Sequence, residues 1–318
     1  MHYTVANGSS KTIVTAELEN PDNTYDIKVV PADPLTGSIT ISTSTNIPTV
    51  NKVLITATDG SREAMATIDI ALWSGFSGKT ITVGKPGTLA QLLTKLDKTT
   101  LTDLIVVGNL NSADIATLKS LPKLAILDME NVNLETLPSS AFRDKTSLTS
   151  VKLPKTLKTI EAYAFCCCNN LISVTIPDGM ILIGNSAFDV CRNLASITIP
   201  DSVISIGNNA FDCCDNLTSV TMGNSVTSIG NCAFDYCPNL TSITIPDSVT
   251  EIGNSVFNMC GSLTAIYCKA TIPPSSGSNI VYTYHRDKVT LYVPVGTTEA
   301  YKDADGWKEF KNIVEMEF

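Results

Sequence analysis

The 318-residue chain is predicted to be β-rich: a solenoid of 23-residue coils, each giving one strand to a parallel sheet, preceded by a small antiparallel β domain. Three observations predict it. A phenylalanine recurs every 23 residues, at Phe142, Phe165, Phe188, Phe211, Phe234 and Phe257. Apolar columns keep the same period around it. Residues 1–75 lack the period and alternate short Thr-, Val- and Ile-rich runs with Asn, Asp, Pro and Gly. A fixed period of this length means coil stacked on coil, because one coil cannot bury its own apolar face.

In residues 1–75, segments 11–18, 25–30, 38–42, 53–58 and 64–72 read as strands, with Asp59-Gly60 as a hairpin signal. Five such strands suit an immunoglobulin-like β-sandwich, here without the Cys and Trp marks of antibody domains. Residues 74–78 are the expected linker, and residues 76–318 the solenoid with its N- and C-terminal caps.

Within the solenoid, Leu148, Leu171, Leu194, Leu217, Leu240 and Leu263 follow the Phe by six residues. Val151, Val174, Ile197, Val220, Ile243 and Ile266 follow it by nine, and Leu153, Ile176, Ile199, Met222, Ile245 and Cys268 by eleven. This is the L-x-x-L-x-L core of a leucine-rich repeat, with the sheet on the concave face. Pro154, Pro177, Pro200 and Pro246 end the strands, having no N–H to donate, and Asp178, Asp201 and Asp247 favour a turn after them. A second apolar pair, as in Val203 and Ile206, closes each coil. Gly184, Gly207, Gly230 and Gly253 are expected at a turn of positive φ, and the Phe in a short helical turn on the far side. The strand motif extends back to Leu101 and Leu124 and forward to Leu291-Tyr292-Val293-Pro294, giving about nine strands and a sheet roughly 40 Å long. Segments 88–96 and 112–119 read as capping helices, and the aromatic-rich 298–310 as the opposite cap.

The formal charge is −9, and between Thr159 and Cys268 the only basic side chain is Arg192. A nucleic-acid partner requires clustered Lys and Arg, so that class is excluded. No apolar run approaches the ~20 residues of a membrane helix, and no signal peptide is visible.

Ten cysteines raise the question of disulfides. Cys168, Cys191, Cys214, Cys237 and Cys260 each follow the Phe by three residues, so they form a column whose Cβ vectors run parallel rather than converging. A ladder of buried thiols is the expectation, with Cys213–Cys232 or Cys166–Cys167 as the pairs to consider if any form. Zinc is not expected: Cys166-Cys167-Cys168 lacks the spacing, Cys232 and Cys237 fit only one half of a zinc motif, and the only histidines are His2 and His285. Asp189, Asp212 and Asp235 stack one residue after the Phe, which would suit Ca²⁺, but no Gly-spaced calcium loop accompanies them and a solvated turn is the simpler reading. Asn170, Asn193, Asn216 and Asn239 form a further column, expected to bond backbone at the bend. No G-x-S-x-G, P-loop or base beside a nucleophile marks catalysis, so an enzyme, a cofactor and a metal are not expected.

The outward face of the strands holds the candidate binding residues: Ser173 and Thr175, Ser196 and Thr198, Ser219 and Thr221, Ser242 and Thr244. They make two uncharged hydroxyl rows, bounded by Lys152 at one end and Tyr267 at the other. Repeat solenoids bind through such extended faces, although Ser and Thr also simply suit an exposed strand.

The coil from Ile199-Pro200-Asp201-Ser202-Val203 through Ile206-Gly207-Asn208-Asn209-Ala210-Phe211 to Asn216-Leu217-Thr218-Ser219-Val220 resembles the repeat of the BspA-like leucine-rich repeat family of bacterial cell-surface proteins. The resemblance spans roughly residues 80–318. It implies an exported, surface-anchored bacterial protein, often preceded by immunoglobulin-like modules, with a lipid or other anchor upstream. It also implies adhesion to host matrix protein or glycan, or to another bacterial surface protein. A monomer is expected. The alternatives are a structural or assembly module of the envelope without external ligand, and a carbohydrate-capture subunit or hydrolase, the last requiring a pocket with two carboxylates about 5–9 Å apart.

Overall fold

The computed structural model describes residues 79–281 and 286–318 and, within residues 1–78, the backbone of six strands. The chain divides into two compact units, Met1–Ser77 and Gly78–Phe318. In the first, His2–Thr4, Thr36–Thr43 and Tyr25–Pro31 form one antiparallel three-stranded sheet, and Ile13–Leu18, Thr49–Thr58 and Glu63–Leu72 another. Asp59-Gly60, the expected linker and His285 lie outside the described residues.

Each coil of the second unit has a front, a back and a phenylalanine edge. The front carries Lys79–Val83, Asp103–Asn109, Ile126–Asp128, Ser150–Lys152, Ser173–Thr175, Ser196–Ile199, Ser219–Met222, Ser242–Ile245, Ala265–Cys268, Thr290–Pro294 and Asn312–Met316, and every pair that forms between them is parallel. The first and last of these lack the leucine motif and extend the sheet beyond the expected nine strands. The ladder falls into three runs, with breaks after Ser173–Thr175 and after Ser219–Met222. Val174 and Val220, the core valines of the strands bordering these breaks, are only partly buried.

The back is a second parallel sheet, of seven two-residue strands from Thr136–Leu137 to Ser275–Ser276. The apolar pair that closes each coil sits here, with Ile160, Ile183, Ile206, Ile229 and Ile252 pointing into the core.

The repeat glycines are not at positive φ, contrary to expectation; among the described glycines only Gly87, Gly108, Gly296 and Gly306 are. Their role is close approach. A Cβ on Gly230 would lie 2.5 Å from the Asn208 backbone nitrogen and 2.6 Å from the Gly207 carbonyl carbon. The asparagine that follows uses this contact: the Asn208, Asn231 and Asn254 N–H groups donate to the Oδ1 of Asn185, Asn208 and Asn231 at 2.7–2.8 Å.

The phenylalanine edge is not helical. Twelve non-glycine residues with positive φ sit two before and two after each repeat Phe, from Ser140 and Asp144 to Ser255 and Met259. Alternating the backbone hand turns the N–H groups at Phe−2, Phe and Phe+2 to one side. They donate to carbonyls of the next coil, as Asn209, Phe211 and Cys213 do to Asn231, Ala233 and Asp235 at 2.8, 2.8 and 3.0 Å. The intervening N–H groups close turns three residues back, as Asp212 does on Asn209 at 3.2 Å. The edge is thus a third ladder, and the strain of left-handed residues is offset by backbone pairing and by the ring each pair holds inward.

Those rings form a stack. Phe142 through Phe257 are fully buried, with neighbouring centroids 5.1–5.9 Å apart and planes within 17°. Beside them the cysteine column is buried, and Cys168, Cys191, Cys214, Cys237 and Cys260 direct their Sγ atoms at the carbonyls of Phe142, Phe165, Phe188, Phe211 and Phe234, 3.1–3.4 Å away. Each buried phenylalanine contributes about 1.5–3 kcal/mol by removal from water, so the stack is a principal source of stability.

At the start of the solenoid, Asn111 caps the helix Ser112–Ser120 in a capping box with Asp114. The Asp114 carboxylate is buried and also accepts the Gly87 and Leu89 N–H groups at 2.6 and 2.9 Å, tying the short helix Leu89–Leu92 to it. The buried Lys145 ammonium takes the thiol position of the first full coil and donates to the Leu121 carbonyl; burial lowers its pKa. At the far end Tyr301 and Trp307 are fully buried and bond the Ala270 and Pro274 carbonyls at 2.7 and 2.8 Å, closing the last coil.

Candidate functional site

Alternation along the front strands puts Ile197, Ile199, Ile243 and Ile245 in the core and Thr198 and Thr244 in solvent. Register then aligns the outward residues across coils. Ser150 faces Ser173, Ser196 faces Ser219, and Ser242 faces Ala265. In the second row Asp128, Lys152 and Thr175 follow one another, Thr198 faces Thr221, and Thr244, Tyr267, Tyr292 and Val314 complete it.

The eight predicted residues therefore lie on one face, half-buried or exposed. Their bonding separates them from most threonines at the coil's other positions, Thr241 being one exception. Thr149, Thr218 and Thr264, just before the strand, donate to carbonyls of the preceding coil at 3.1–3.3 Å, as Thr227 and Thr250 do behind. On the face, Ser173 exchanges a 3.0 Å bond with Ser150. The hydroxyls of Thr175, Ser196, Thr198, Ser219, Thr221, Ser242 and Thr244 engage no other protein group among the described residues.

The ends of the rows differ chemically. At the start Lys152 lies 3.5 Å from Asp128 and Lys155 lies 3.0 Å from Glu130. Glu130, Lys152 and Lys155, with Leu153, Thr175 and the turn at 176–179, line an open cavity of about 420 Å³. At the other end Tyr267 and Tyr292 stack, centroids 4.7 Å apart and planes 14° apart, with Val314 exposed beyond them. Sequence reasoning registered Tyr267 only as an interruption. The signal for its partner was present, since Leu291-Tyr292-Val293 repeats the pattern of Ile266-Tyr267-Cys268.

The remaining candidates resolve into structural roles. All ten cysteines are free thiols, and the Cys166 and Cys167 sulfurs are 3.5 Å apart. Burial pushes Cys168 up to about 12 and Cys191 and Cys214 well above the ordinary thiol range; at Cys237 the hydrogen bond with the Cys260 thiol, and then burial, do the same. Asp189 and Asp235 are half-buried, and burial raises both above the usual carboxylate range. The Asp column is occupied by neighbours: Asp212 accepts from Asn209 at 3.1 Å and Asp235 from Asn258 at 3.0 Å. Among the described residues no group of three or more His, Cys, Asp or Glu is arranged to hold a metal ion. The asparagine column bonds backbone at its ends only. Asn170 and Asn239 reach the Thr146 and Asp215 carbonyls at 2.9 and 2.8 Å, whereas Asn193 and Asn216 donate to the preceding asparagine side chain at 3.3 and 3.0 Å.

Stacked parallel coils with an L-x-x-L-x-L front strand and an extended hydroxyl face define a leucine-rich repeat solenoid. The sequence model of the BspA type leucine rich repeat region, in six copies, matches residues 97–194 and 158–275, more than half of the chain. The chain belongs to the BspA type leucine-rich repeat family. Among solved structures it is similar to a leucine-rich repeat protein from T. pallidum, at 28% identity over 58% of this chain and 76% of that one, with a TM-score of 0.46. A leucine-rich repeat protein from Bacteroides ovatus is 22% identical over 75% of this chain and 66% of its own, with a TM-score of 0.34. A leucine rich cell surface protein from Faecalibacterium prausnitzii is 18% identical over 95% of both chains, with a TM-score of 0.33. A comparison with curated proteins finds no match. No helix among the described residues is long and apolar enough to cross a membrane.

Proposed function

We propose that this chain is a bacterial cell-surface binding protein whose front face captures a partner outside the cell, a host matrix protein or glycan or another bacterial surface protein. One observation carries the reading: seven front-face hydroxyls stay unengaged, while Thr149, Thr218 and Thr264 before the strand and Thr227 and Thr250 behind bond backbone. Polar side chains held in register without internal partners are what an extended binding surface requires. Residues 1–75 serve in this reading as an immunoglobulin-like spacer, and residues 76–318 as the receptor. The family supports a surface location, and repeat solenoids of this kind bind partners rather than transform them.

The test is binding of the whole chain to an array of purified matrix proteins and polysaccharides, beside a variant with Ser196, Thr198, Ser219 and Thr221 all changed to Lys. A partner bound by the first and lost in the second is the expected result. A partner bound equally by both moves the site off the front face, and no partner on the array favours a purely structural module.

A further inference from the structure

We propose that the front face binds a neutral polysaccharide strand laid along the solenoid axis, with the Tyr267–Tyr292 pair as its aromatic end stop. The proposal rests on the surface-receptor reading and specifies its ligand.

The face suits a sugar polymer better than a protein. Protein interfaces are anchored by Trp, Tyr, Arg or Met in desolvated pockets and are poor in Ser. From Ser173 to Thr244 the two rows hold only Ser and Thr. Each hydroxyl both donates and accepts, as each sugar hydroxyl does, so the two sets match without a charge on either side. The rows also repeat once per coil. A polymer presents the same groups at each unit, and weak contacts made coil by coil add as linked sites do.

Charge narrows the class further. The Pro-Asp turns Asp178, Asp201 and Asp247 are exposed along one border of the rows, and the Lys152 ammonium at the start faces the Asp128 carboxylate at 3.5 Å. A sulfated or uronic polymer meets carboxylates along that border, whereas a neutral one meets none of its own sign.

Direction is set by the tyrosines. Stacking on Tyr292 covers one face of the Tyr267 ring. The other face turns toward Thr244, its register neighbour in the preceding coil. A sugar ring over Thr244 brings its C–H surface against that aromatic face, an apolar contact where the hydroxyl row ends.

The experiment is affinity electrophoresis and calorimetry of the whole chain with unbranched neutral glucans and mannans, both α- and β-linked. Heparin, polygalacturonate, collagen and laminin are run alongside. The expected result is a neutral polysaccharide bound with little change between about 0.05 and 0.5 M NaCl, since screening does not touch uncharged contacts. Thr198→Val with Thr221→Val, which keeps the shape and removes two hydroxyls, weakens it by about tenfold or more. Tyr267→Ala does likewise, with circular dichroism confirming that both variants fold. Binding of only the anionic polymers, lost at high salt, overturns the proposal. So does a neutral polysaccharide that both variants hold unchanged. If collagen or laminin binds, is lost in the four-lysine variant, and no neutral polysaccharide binds, the receptor reading stands and this proposal falls. If nothing binds, both fall.

Discussion

Replacing Phe211 by alanine tests the stacked-ring core directly. The ring is fully buried and lies between Phe188 at 5.3 Å and Phe234 at 5.2 Å, nearly parallel to both. Truncating a buried phenylalanine costs about 3–5 kcal/mol, from lost transfer energy and the cavity left behind. Two ring contacts, each worth about 0.5–1.5 kcal/mol beyond area, place this site in the upper half of that range, about 4–5 kcal/mol. The cavity has little room to close, because backbone pairing to the next coil fixes the spacing on the phenylalanine edge. Phe257, with one ring neighbour at 5.9 Å, should cost nearer 3 kcal/mol on the same substitution. Urea denaturation of the whole chain, followed by far-UV circular dichroism, gives both values. A cost below about 1 kcal/mol at Phe211 refutes the stack as a source of stability, and so does a larger loss at Phe257 than at Phe211.

Gly230→Ala should destabilise by about 2 kcal/mol or more despite an ordinary φ, because its Cβ meets backbone at 2.5 Å. Gly261→Ala, with nothing within 4 Å, should be neutral or slightly stabilising; equal effects at the two sites in a thermal melt would contradict the close-approach role. In thiol titration at pH 8, all ten cysteines should react when unfolded without reductant, and in the folded chain only the partly exposed Cys167, Cys213 and Cys232 should begin to react. Cys213, pushed up to about 12, should do so slowly and faster at higher pH. Burial raises Asp189 and Asp235 above the ordinary value of 3.8, so the folded state holds those protons more tightly. Their contribution to stability is full below 3.8 and lost as pH rises through the raised values. Asp189→Asn should therefore raise the melting temperature at pH 7, with the gain shrinking toward pH 3; a gain that grows on acidification contradicts this sign.

The period of 23 made the stack, the front strands and the outward hydroxyl rows legible, because each is a column that one residue type fills coil after coil. The back sheet was harder to see. Two-residue strands such as Ser205–Ile206 are too short to show alternation, and Val203 and Ile206 alone read as a closing pair. Positive φ was assigned to the glycines on propensity. The structure gives it to Asn209, Cys213, Cys232 and Tyr236, whose side chains carry no common preference for it. That conformation is imposed by pairing between coils, which is a tertiary effect. The hydroxyl rows were visible as residue types, but their lack of internal partners was not. Thr218 and Thr221 are the same residue type three positions apart, yet only Thr218 reaches a carbonyl of the coil before it, at 3.2 Å.

The phenylalanine edge has one more property. Its N–H groups at Phe−2, Phe and Phe+2 all donate toward the C-terminal coil, from Ser140, Phe142 and Asp144 onward. Peptide dipoles aligned in this way add along the solenoid as they do along a helix, giving the edge a negative, carbonyl-rich pole at the Phe142 coil. Cations gather at that pole. Lys119 bonds the Ser140 carbonyl at 3.0 Å, Lys145 lies buried beside it on the Leu121 carbonyl, and Arg143 covers Tyr163 at 5.3 Å. From Thr159 to Cys268, Arg192 is the only basic residue. The uneven distribution of positive charge along the chain thus has a counterpart in the backbone. Inserting a further 23-residue coil would lengthen this macrodipole and leave its counter-charges in place.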